Sequence, residues 1–229
     1  MGHVRATLFD FNGVIADDEH IHLACFRDAV ARQGITISDA DYKDRYLGFD
    51  DAGAFAAILS DAGHAPDPDL VARLVEAKKP LYLVRADAEL RIFEGARELI
   101  LRRAALGPVV IVSGALDHEI VFCLNKMGIT HRVLFRVAAD HVRSCKPDPE
   151  GYLLAMTKLA PLGVTSAVVI EDSLAGIVAA KAASLRCVAV AHTYSANELT
   201  GSGADAVAAT LEGLTDELLD GTPPDFLDR

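Results

Sequence analysis

Three carboxylates, one ammonium group and one hydroxyl stand at widely separated positions, where short apolar runs end or a loop opens a helix. They belong to Asp10, Ser113, Lys146, Glu171 and Asp172. Clustered carboxylates repel one another unless a cation lies among them, and Mg²⁺ is the natural candidate because it prefers oxygen ligands. A lysine beside the cation supplies fixed positive charge for an anion. Held together, these groups would favour phosphoryl transfer, in which positioning and charge neutralisation provide most of the catalysis.

Each of these residues also has a purely structural interpretation. An acidic residue after a strand can cap the next helix, and a serine in a turn can do the same. A lysine followed by proline is common in surface loops. The functional interpretation therefore depends on whether the fold brings the five side chains to one edge of a sheet.

Five short apolar runs predict the strands of that sheet. They cover residues 4–9, 109–112, 135–139, 167–170 and 187–191, and helical patterns at 115–127, 150–159 and 174–183 lie between them. Continuous apolar runs of this length are typical of strands buried on both faces. The alternation predicts a doubly wound, Rossmann-like α/β fold with a parallel sheet. Ligands bind at the carboxyl ends of such strands, so we expect the five side chains to meet there.

Residues 16–86 break the alternation. Several apolar sets recur there at helical spacing, among them Leu70, Leu74, Ala77 and Leu81, and turn-forming residues separate the sets. We therefore expect a small all-helical domain inserted into an α/β core that comprises residues 1–15 and 87–229.

The composition limits the partners of the chain. Of its 229 residues 51% are hydrophobic and 24% are charged, and 33 acidic against 22 basic residues give a formal net charge of −11. Net negative charge argues against binding to nucleic acid or to an anionic membrane. No apolar run approaches the roughly 18 residues of a membrane span, and the N-terminal residues lack the apolar region of a signal peptide. We expect a cytoplasmic monomer that binds a small molecule.

Four short segments resemble the motifs of the haloacid dehalogenase (HAD) superfamily of hydrolases. They are Asp10-Phe11-Asn12-Gly13-Val14-Ile15, Val112-Ser113-Gly114, Lys146-Pro147-Asp148-Pro149, and Ile170-Glu171-Asp172-Ser173 with Ala175 and Gly176. The chain most resembles the branch that contains β-phosphoglucomutase and small sugar-phosphate phosphatases. In that branch a helical cap is inserted where residues 16–86 fall here.

The resemblance implies a role for each matching residue. Asp10 would attack phosphorus and form an aspartyl-phosphate. Mg²⁺ would be held by the Asp10 carboxylate, the Asn12 backbone carbonyl and Asp172, with support from Glu171. Phosphate or substrate would be bound by Phe11, Ser113, Gly114, Lys146 and His22; of these, Ser113 and Lys146 also count as catalytic, with Asp10 and Asn12. His22 matches a histidine that begins the cap and lies near the leaving group, although an ordinary half-exposed helix histidine is an equal alternative.

Asn12 departs from the family pattern, which has an aspartate there that protonates the leaving oxygen. An amide can donate a hydrogen bond but cannot transfer a proton at neutral pH. Loss of a positioned acid costs about 10²–10⁴-fold in rate, or roughly 3–5 kcal/mol. Three explanations stay open: a native residue in an enzyme that uses activated phosphates or borrows His22 or Asp18 as acid, an introduced substitution, or a ligand-binding protein with little turnover.

The loop Gly48-Phe49-Asp50-Asp51 argues against the mutase alternative. The mutase branch usually has an arginine in this cap loop to hold a second phosphate, whereas two aspartates stand here. Acidic groups favour a substrate whose distal part is neutral or cationic. The sequence thus predicts a Mg²⁺-dependent phosphatase or phosphotransferase for a small phosphorylated metabolite. A β-phosphoglucomutase-like mutase and a weakly active ligand-binding protein are the alternatives.

Overall fold

The computed structural model describes residues 5–221 and contains a six-stranded parallel sheet. The described strands are β1 (Arg5–Phe9), β2 (Ala16–Asp17), β3 (Arg91–Ile92), β4 (Val109–Val112), β5 (Phe135–Val137), β6 (Ser166–Glu171), β7 (Arg186–Val190) and β8 (Ala206–Ala208). The sheet order is β5-β4-β1-β6-β7-β8, while β2 and β3 form a separate antiparallel pair. The predicted doubly wound α/β fold is confirmed. Only β8 in the main sheet was not indicated by an apolar run.

Helices connect the strands and cover both faces of the sheet. They are α1 (Glu19–Val30), α2 (Asp39–Asp41), α3 (Asp51–Asp61), α4 (Pro68–Glu89), α5 (Ala96–Leu106), α6 (Asp117–Met127), α7 (Glu150–Leu159), α8 (Leu174–Ala182), α9 (Ala196–Gly201) and α10 (Asp216–Asp220). A short π-helical turn at Tyr42–Tyr46 follows α2 directly. Alternate side chains of β1, β4 and β6 enter two different apolar clusters, one shared with α5 and α6 and the other with α7 and α8. This two-sided burial explains the continuous apolar runs of the strands.

The helices α1 to α4, together called the helical insertion below, lie between β2 and β3. They contribute a third apolar cluster, which includes Phe26, Phe55, Ile58 and Leu74. The last helix, α4, continues to Glu89, three residues past the predicted boundary.

The buried face of α4 differs from the apolar set that recurs at helical spacing in the sequence. Ala77 is exposed, whereas the neighbouring Lys78 is completely buried together with Leu74 and Tyr82. The 3.6-residue period of a helix is compatible with a buried face that includes Ala77 or one that includes Lys78. The carboxylates that pair with Lys78 belong to helices distant in sequence. None of the helices formed by residues 5–221 is both long and apolar enough to cross a bilayer.

Candidate active site

The nucleophile candidate, Asp10, follows the central strand β1. Its backbone N–H donates to the carbonyl of Ile170 at 2.9 Å, which ties it to β6 on one side. On the other side lies β4, after which Ser113 donates its N–H to the Val137 carbonyl at 3.0 Å. Because parallel strands end at the same edge, these registers bring Asp10, Ser113 and Glu171 together.

Lys146 links two of the carboxylates. Its Nζ lies 2.7 Å from Asp10 Oδ1 and 2.6 Å from Glu171 Oε1. Burial opposes the charge of this ammonium group, but Asp10 and Glu171 outweigh that effect and raise the pKa of Lys146. The lysine therefore stays positively charged at neutral pH and can hold an anion beside Asp10.

Glu171 is surrounded by donors. Oε1 accepts from Lys146 and from the Tyr152 hydroxyl at 2.9 Å, and Oε2 accepts from the Asp172 and Ser173 backbone N–H groups and from Ser173 Oγ. Burial favours the neutral form, yet Lys146 and these hydrogen bonds outweigh it and lower the pKa of Glu171. Gly176 makes room for this carboxylate, because a Cβ there would lie 1.7 Å from Oε1.

The acidic cluster fits a divalent cation. Oxygen atoms of Asp10, Glu171 and Asp172 lie within 4.8 Å of one another, and all three side chains are buried. Burial and the neighbouring Glu171 raise the pKa of Asp10 to about 6, against the lowering effect of Lys146. The same two causes, burial and Glu171, raise the pKa of Asp172. These oxygens thus carry more negative charge than Lys146 neutralises, which is the condition a hard cation relieves.

His192 and Thr193, which follow β7, fix the positions of the loop after β1 and of Asp172. The Thr193 hydroxyl donates to Asp172 Oδ2, and His192 Nδ1 lies 2.8 Å from the Gly13 carbonyl. A carbonyl can only accept, so Nδ1 carries a proton and donates. Gly13 has φ +75°, and a Cβ there would lie 1.9 Å from Asp172 Oδ2. The loop after β1 therefore passes Asp172 so closely that only glycine fits.

The Asn12 side chain contacts three neighbours. Nδ2 donates to Asp18 Oδ1 at 2.9 Å and lies 3.3 Å from His22 Nε2, while Oδ1 lies 3.5 Å from Ser113 Oγ. Asp18 is completely buried and also accepts from the Tyr82 hydroxyl at 2.5 Å. The amide therefore reaches toward the reaction site from a fixed position, as a donor and acceptor of hydrogen bonds.

Lys78 joins the helical insertion to the α/β core. Its Nζ lies 2.7 Å from Asp51 Oδ1, 3.4 Å from Glu119 Oε1 and 2.9 Å from His22 Nδ1. Burial opposes its charge, but Glu119 and Asp51 outweigh this and raise the pKa of Lys78. The His22 ring lies between Lys78 and Asp18, whose Oδ2 is 3.4 Å from Nε2. Burial and Lys78 oppose positive charge on this ring, but Asp18 outweighs them and raises the pKa of His22 to about 9.

A cleft of about 800 Å³ opens above these residues. Asp10, Asn12, His22, Ser113, Gly114, Lys146 and Asp172 line it, together with residues of the helical insertion. Phe11 does not line it, because its side chain is completely buried in the core. Only the backbone of Phe11 is therefore available to a ligand.

Several residues of the site were not identified from the sequence: Lys78, Glu119, Tyr152, His192 and Thr193. Lys78 had a detectable signal, since it continues the four-residue spacing of Leu74 and Tyr82 on a buried helix face. His192 and Thr193 also had one, because they follow a strand of the sheet. Glu119 and Tyr152 lie in ordinary helical patterns that give no such indication.

Comparisons with known proteins show the family of this chain. A family model for haloacid dehalogenase-like hydrolases matches residues 7–190. Protein CbbY from Cereibacter sphaeroides is 30% identical over 202 residues, covering 85% of this chain and 87% of that protein. Validoxylamine A 7'-phosphate phosphatase from Streptomyces hygroscopicus subsp. limoneus is 31% identical over 201 residues, covering 85% and 89%. The chain is also 30% identical over 212 residues to Protein SUPPRESSOR OF QUENCHING 1, chloroplastic, from Arabidopsis thaliana, but spans only 19% of its length.

Two solved structures of CbbY share the fold over most of the chain. CbbY from Rhodobacter sphaeroides in complex with phosphate has a TM-score of 0.82 at 26% identity, covering 95% of this chain and 99% of that chain. A mutant of that CbbY in complex with xylulose-(1,5)bisphosphate has a TM-score of 0.78 at 27% identity, covering 91% and 95%.

Proposed function

This chain belongs to the haloacid dehalogenase-like hydrolases, as its motifs predicted, and its named relatives include phosphatases; from this premise we propose a Mg²⁺-dependent phosphatase that removes phosphate from a small metabolite through Asp10. The observation that carries the proposal is the contact of 2.7 Å between Lys146 Nζ and Asp10 Oδ1 at the floor of the cleft. This contact supports the proposal because transfer of a phosphoryl group to Asp10 requires a fixed positive charge beside the carboxylate. A cytoplasmic location and a monomeric state stay predictions of the sequence.

Asp10 acts as the nucleophile. One carboxylate oxygen forms a bond to phosphorus while the bond from phosphorus to the ester oxygen breaks, and the leaving oxygen keeps the electron pair. Water then attacks phosphorus in the aspartyl-phosphate and releases inorganic phosphate and the free carboxylate. Lys146 and the Ser113 hydroxyl stabilise the negative charge of the phosphoryl oxygens in both steps.

The Asp10 and Asp172 carboxylates and the Asn12 backbone carbonyl are the residues that would hold Mg²⁺. When bound, the ion neutralises charge on the phosphoryl oxygens and on the acidic cluster. Glu171 acts mainly through Lys146, because its two oxygens already accept five hydrogen bonds.

Asn12 orients groups without transferring a proton. Its Nδ2 can donate a hydrogen bond to the leaving oxygen, but the proton must come from another source. Phosphates with stable leaving groups, such as acyl phosphates, need that proton least. We therefore propose faster turnover of activated phosphates than of sugar phosphates.

A second candidate function follows from the same residue. A protein with the complete phosphate site but without the acid would bind a phosphorylated ligand and hydrolyse it slowly. The amide of Asn12, held by Asp18 and close to His22, favours this candidate because the arrangement is ordered without a residue at position 12 that can transfer a proton.

Phosphate release from a panel of phosphorylated metabolites and acetyl phosphate tests the proposal. We expect release that requires Mg²⁺, stops on chelation and is absent from Asp10→Asn. Calorimetric binding of the same compounds separates the two candidates, since tight binding without release supports the second. No release and no binding from any compound would contradict both.

A further inference from the structure

The cleft above Asp10 has an acidic wall at the end away from Lys146. Its floor carries the ammonium group of Lys146, whereas the wall formed by the helical insertion carries the carboxylates of Glu19, Asp50 and Asp51. Within the described residues 5–221, the lining that comes from the insertion includes no lysine or arginine. A substrate seated with its phosphate on Lys146 therefore extends its other end toward negative charge.

Lys78 does not reverse the sign of this wall. It is completely buried and does not line the cleft. Its Nζ lies 2.7 and 2.9 Å from the two oxygens of Asp51 and 3.4 Å from Glu119 Oε1. His22 also contacts Lys78 and pairs with Asp18, so two cationic groups face three carboxylates and the group stays negative overall. A second anion in the cleft would find no unsatisfied cation there.

Glu19 offers an acceptor to a ligand. Oε2 accepts from the Tyr42 hydroxyl at 2.5 Å, while Oε1 has no hydrogen bond from the described part of the chain. Asp50 Oδ1 accepts from the Gly53 N–H at 2.7 Å as the N-cap of α3. Both carboxylates are therefore held in place by the protein and keep acceptor capacity for a donor in the cleft.

Aromatic faces accompany these acids. Tyr42 and Phe49 line the same wall, and Phe49 is 56% exposed. The face of an aromatic ring attracts a cation, and a carboxylate beside it strengthens the attraction. The combination of acids and aromatic faces suits an ammonium group.

We propose that the cleft selects phosphate monoesters that bear a protonated amine away from the phosphate, accepts those with an uncharged distal part, and rejects those with a second phosphate or a carboxylate. This inference rests on the proposed function, since it takes Lys146 as the phosphate end of the cleft. It also distinguishes the chain from the related CbbY, a mutant of which was crystallised with a bisphosphate.

A matched series of substrates tests the inference. Glucosamine 6-phosphate, glucose 6-phosphate and 6-phosphogluconate share the same leaving oxygen and differ in distal charge. We expect kcat/KM to fall in that order, by at least about 10-fold between the amine and the carboxylate in low salt. The ratio of the two kcat/KM values is expected to decrease in high salt, because screening weakens the interaction of the substrate charges with the cleft.

Binding of the three compounds to Asp10→Asn, measured by calorimetry, separates this inference from the proposed function. The same order in binding without any turnover in the wild type would leave the charge selection intact and contradict the phosphatase. Equal binding of the three compounds, including no binding of any, would overturn the inference.

Two conservative variants locate the selection. Glu19→Gln retains the size of the side chain, and Asp50→Asn retains an N-cap residue for α3. Each is expected to reduce the preference for the amine over the carboxylate about 3-fold or more, whereas Asp44→Asn, an exposed change outside the cleft, leaves it unchanged. Asp51 is avoided because its removal would leave Lys78 without its nearest partner.

The alternative to an acidic distal site is a cationic one formed by Lys43. It is exposed and lines a neighbouring cavity that shares Glu19, Tyr42 and Leu47 with the cleft. If the carboxylate or a bisphosphate is preferred, and Lys43→Gln abolishes that preference, then the distal site is cationic and the proposal is wrong.

Discussion

The side-chain amide of Asn12 donates a hydrogen bond to the buried carboxylate of Asp18, with Nδ2 2.9 Å from Oδ1. Tyr82 donates to the other oxygen of Asp18 at 2.5 Å. The amide and the carboxylate are matched as donor and acceptor, so the residue at position 12 cannot be changed independently of position 18. An aspartate at position 12 would bring two carboxylates into contact.

Asn12→Asp is therefore expected to destabilise the protein at pH 7. Two buried carboxylates in contact must share a proton or repel, which costs about 1–3 kcal/mol. The double variant Asn12→Asp with Asp18→Asn restores an amide–carboxylate pair and is expected to recover most of the loss. Urea unfolding measures both free energies of unfolding. If Asn12→Asp alone is as stable as the wild type, the donor–acceptor match between positions 12 and 18 does not contribute to stability.

The same double variant tests the catalytic meaning of Asn12. It places a carboxyl group next to the leaving oxygen, where a positioned acid is worth about 10²-fold or more. We expect a gain of that order in kcat on alkyl phosphates and a smaller gain on acetyl phosphate, whose leaving oxygen needs little protonation. Steady-state kinetics on both substrates decide the point, and equal gains would contradict the account of Asn12.

Lys78 is expected to be far more important for stability than its neighbour Lys79. Lys78→Met leaves Asp51 and Glu119 as buried carboxylates without their cation, a change that typically costs about 3–5 kcal/mol. Lys79→Met is the matched control, because Lys79 forms only an exposed pair with Glu76, worth about 1 kcal/mol or less. Thermal and urea unfolding of the two variants give the comparison. Similar losses in both would show that the buried cluster is not held by Lys78.

His192 is expected to position the metal ligands. Its ring donates to the Gly13 carbonyl at 2.8 Å and stacks on Phe93 at 4.0 Å between ring centroids. Loss of such a supporting contact typically lowers metal affinity about 10–100-fold. Calorimetric titration with Mg²⁺ is expected to show this for His192→Ala, a smaller loss for His192→Asn, whose amide can still donate, and none for the exposed control His131→Ala. If His192→Ala binds Mg²⁺ as tightly as the wild type, His192 does not position the metal ligands.

The ion pair of Asp117 and Arg136 is expected to contribute to the free energy of unfolding at neutral pH and to lose that contribution in acid. The guanidinium of Arg136 donates to both Asp117 oxygens, at 2.6 and 3.1 Å, and this hydrogen bonding lowers the pKa of Asp117. A lowered pKa means that the stabilisation is complete above the pKa of the unfolded chain and is lost as the pH falls through that of the folded protein. At pH 7 the wild type is expected to exceed Asp117→Asn by about 0.2–1 kcal/mol, the range of half-exposed pairs. Unfolding measured between pH 7 and pH 3 must show that difference shrink, and a difference independent of pH would contradict the assignment.

Local patterns determined the α/β fold and the meeting of Asp10, Ser113 and Glu171 at one edge of the sheet. The runs that end at Asp10, Ser113 and Glu171 are apolar because their strands are buried on both faces, and parallel strands place their carboxyl ends at one edge. Lys146 could be assigned because its motif is local. For these residues the spacing along the chain was sufficient, since backbone hydrogen bonding alone sets their relation in space.

The tertiary structure alone decided how the charges behind the cleft are paired. Lys78 lies on α4, Asp51 on α3 and Glu119 on α6, and no periodicity relates these helices to one another. The apolar set at helical spacing on α4 includes the exposed Ala77 and omits the buried Lys78. The contacts of Asn12 with Asp18, and of His192 with Gly13, arise in the same way. Such contacts depend on how side chains fill the space between packed elements, and that is a property of the folded chain and not of any segment of it.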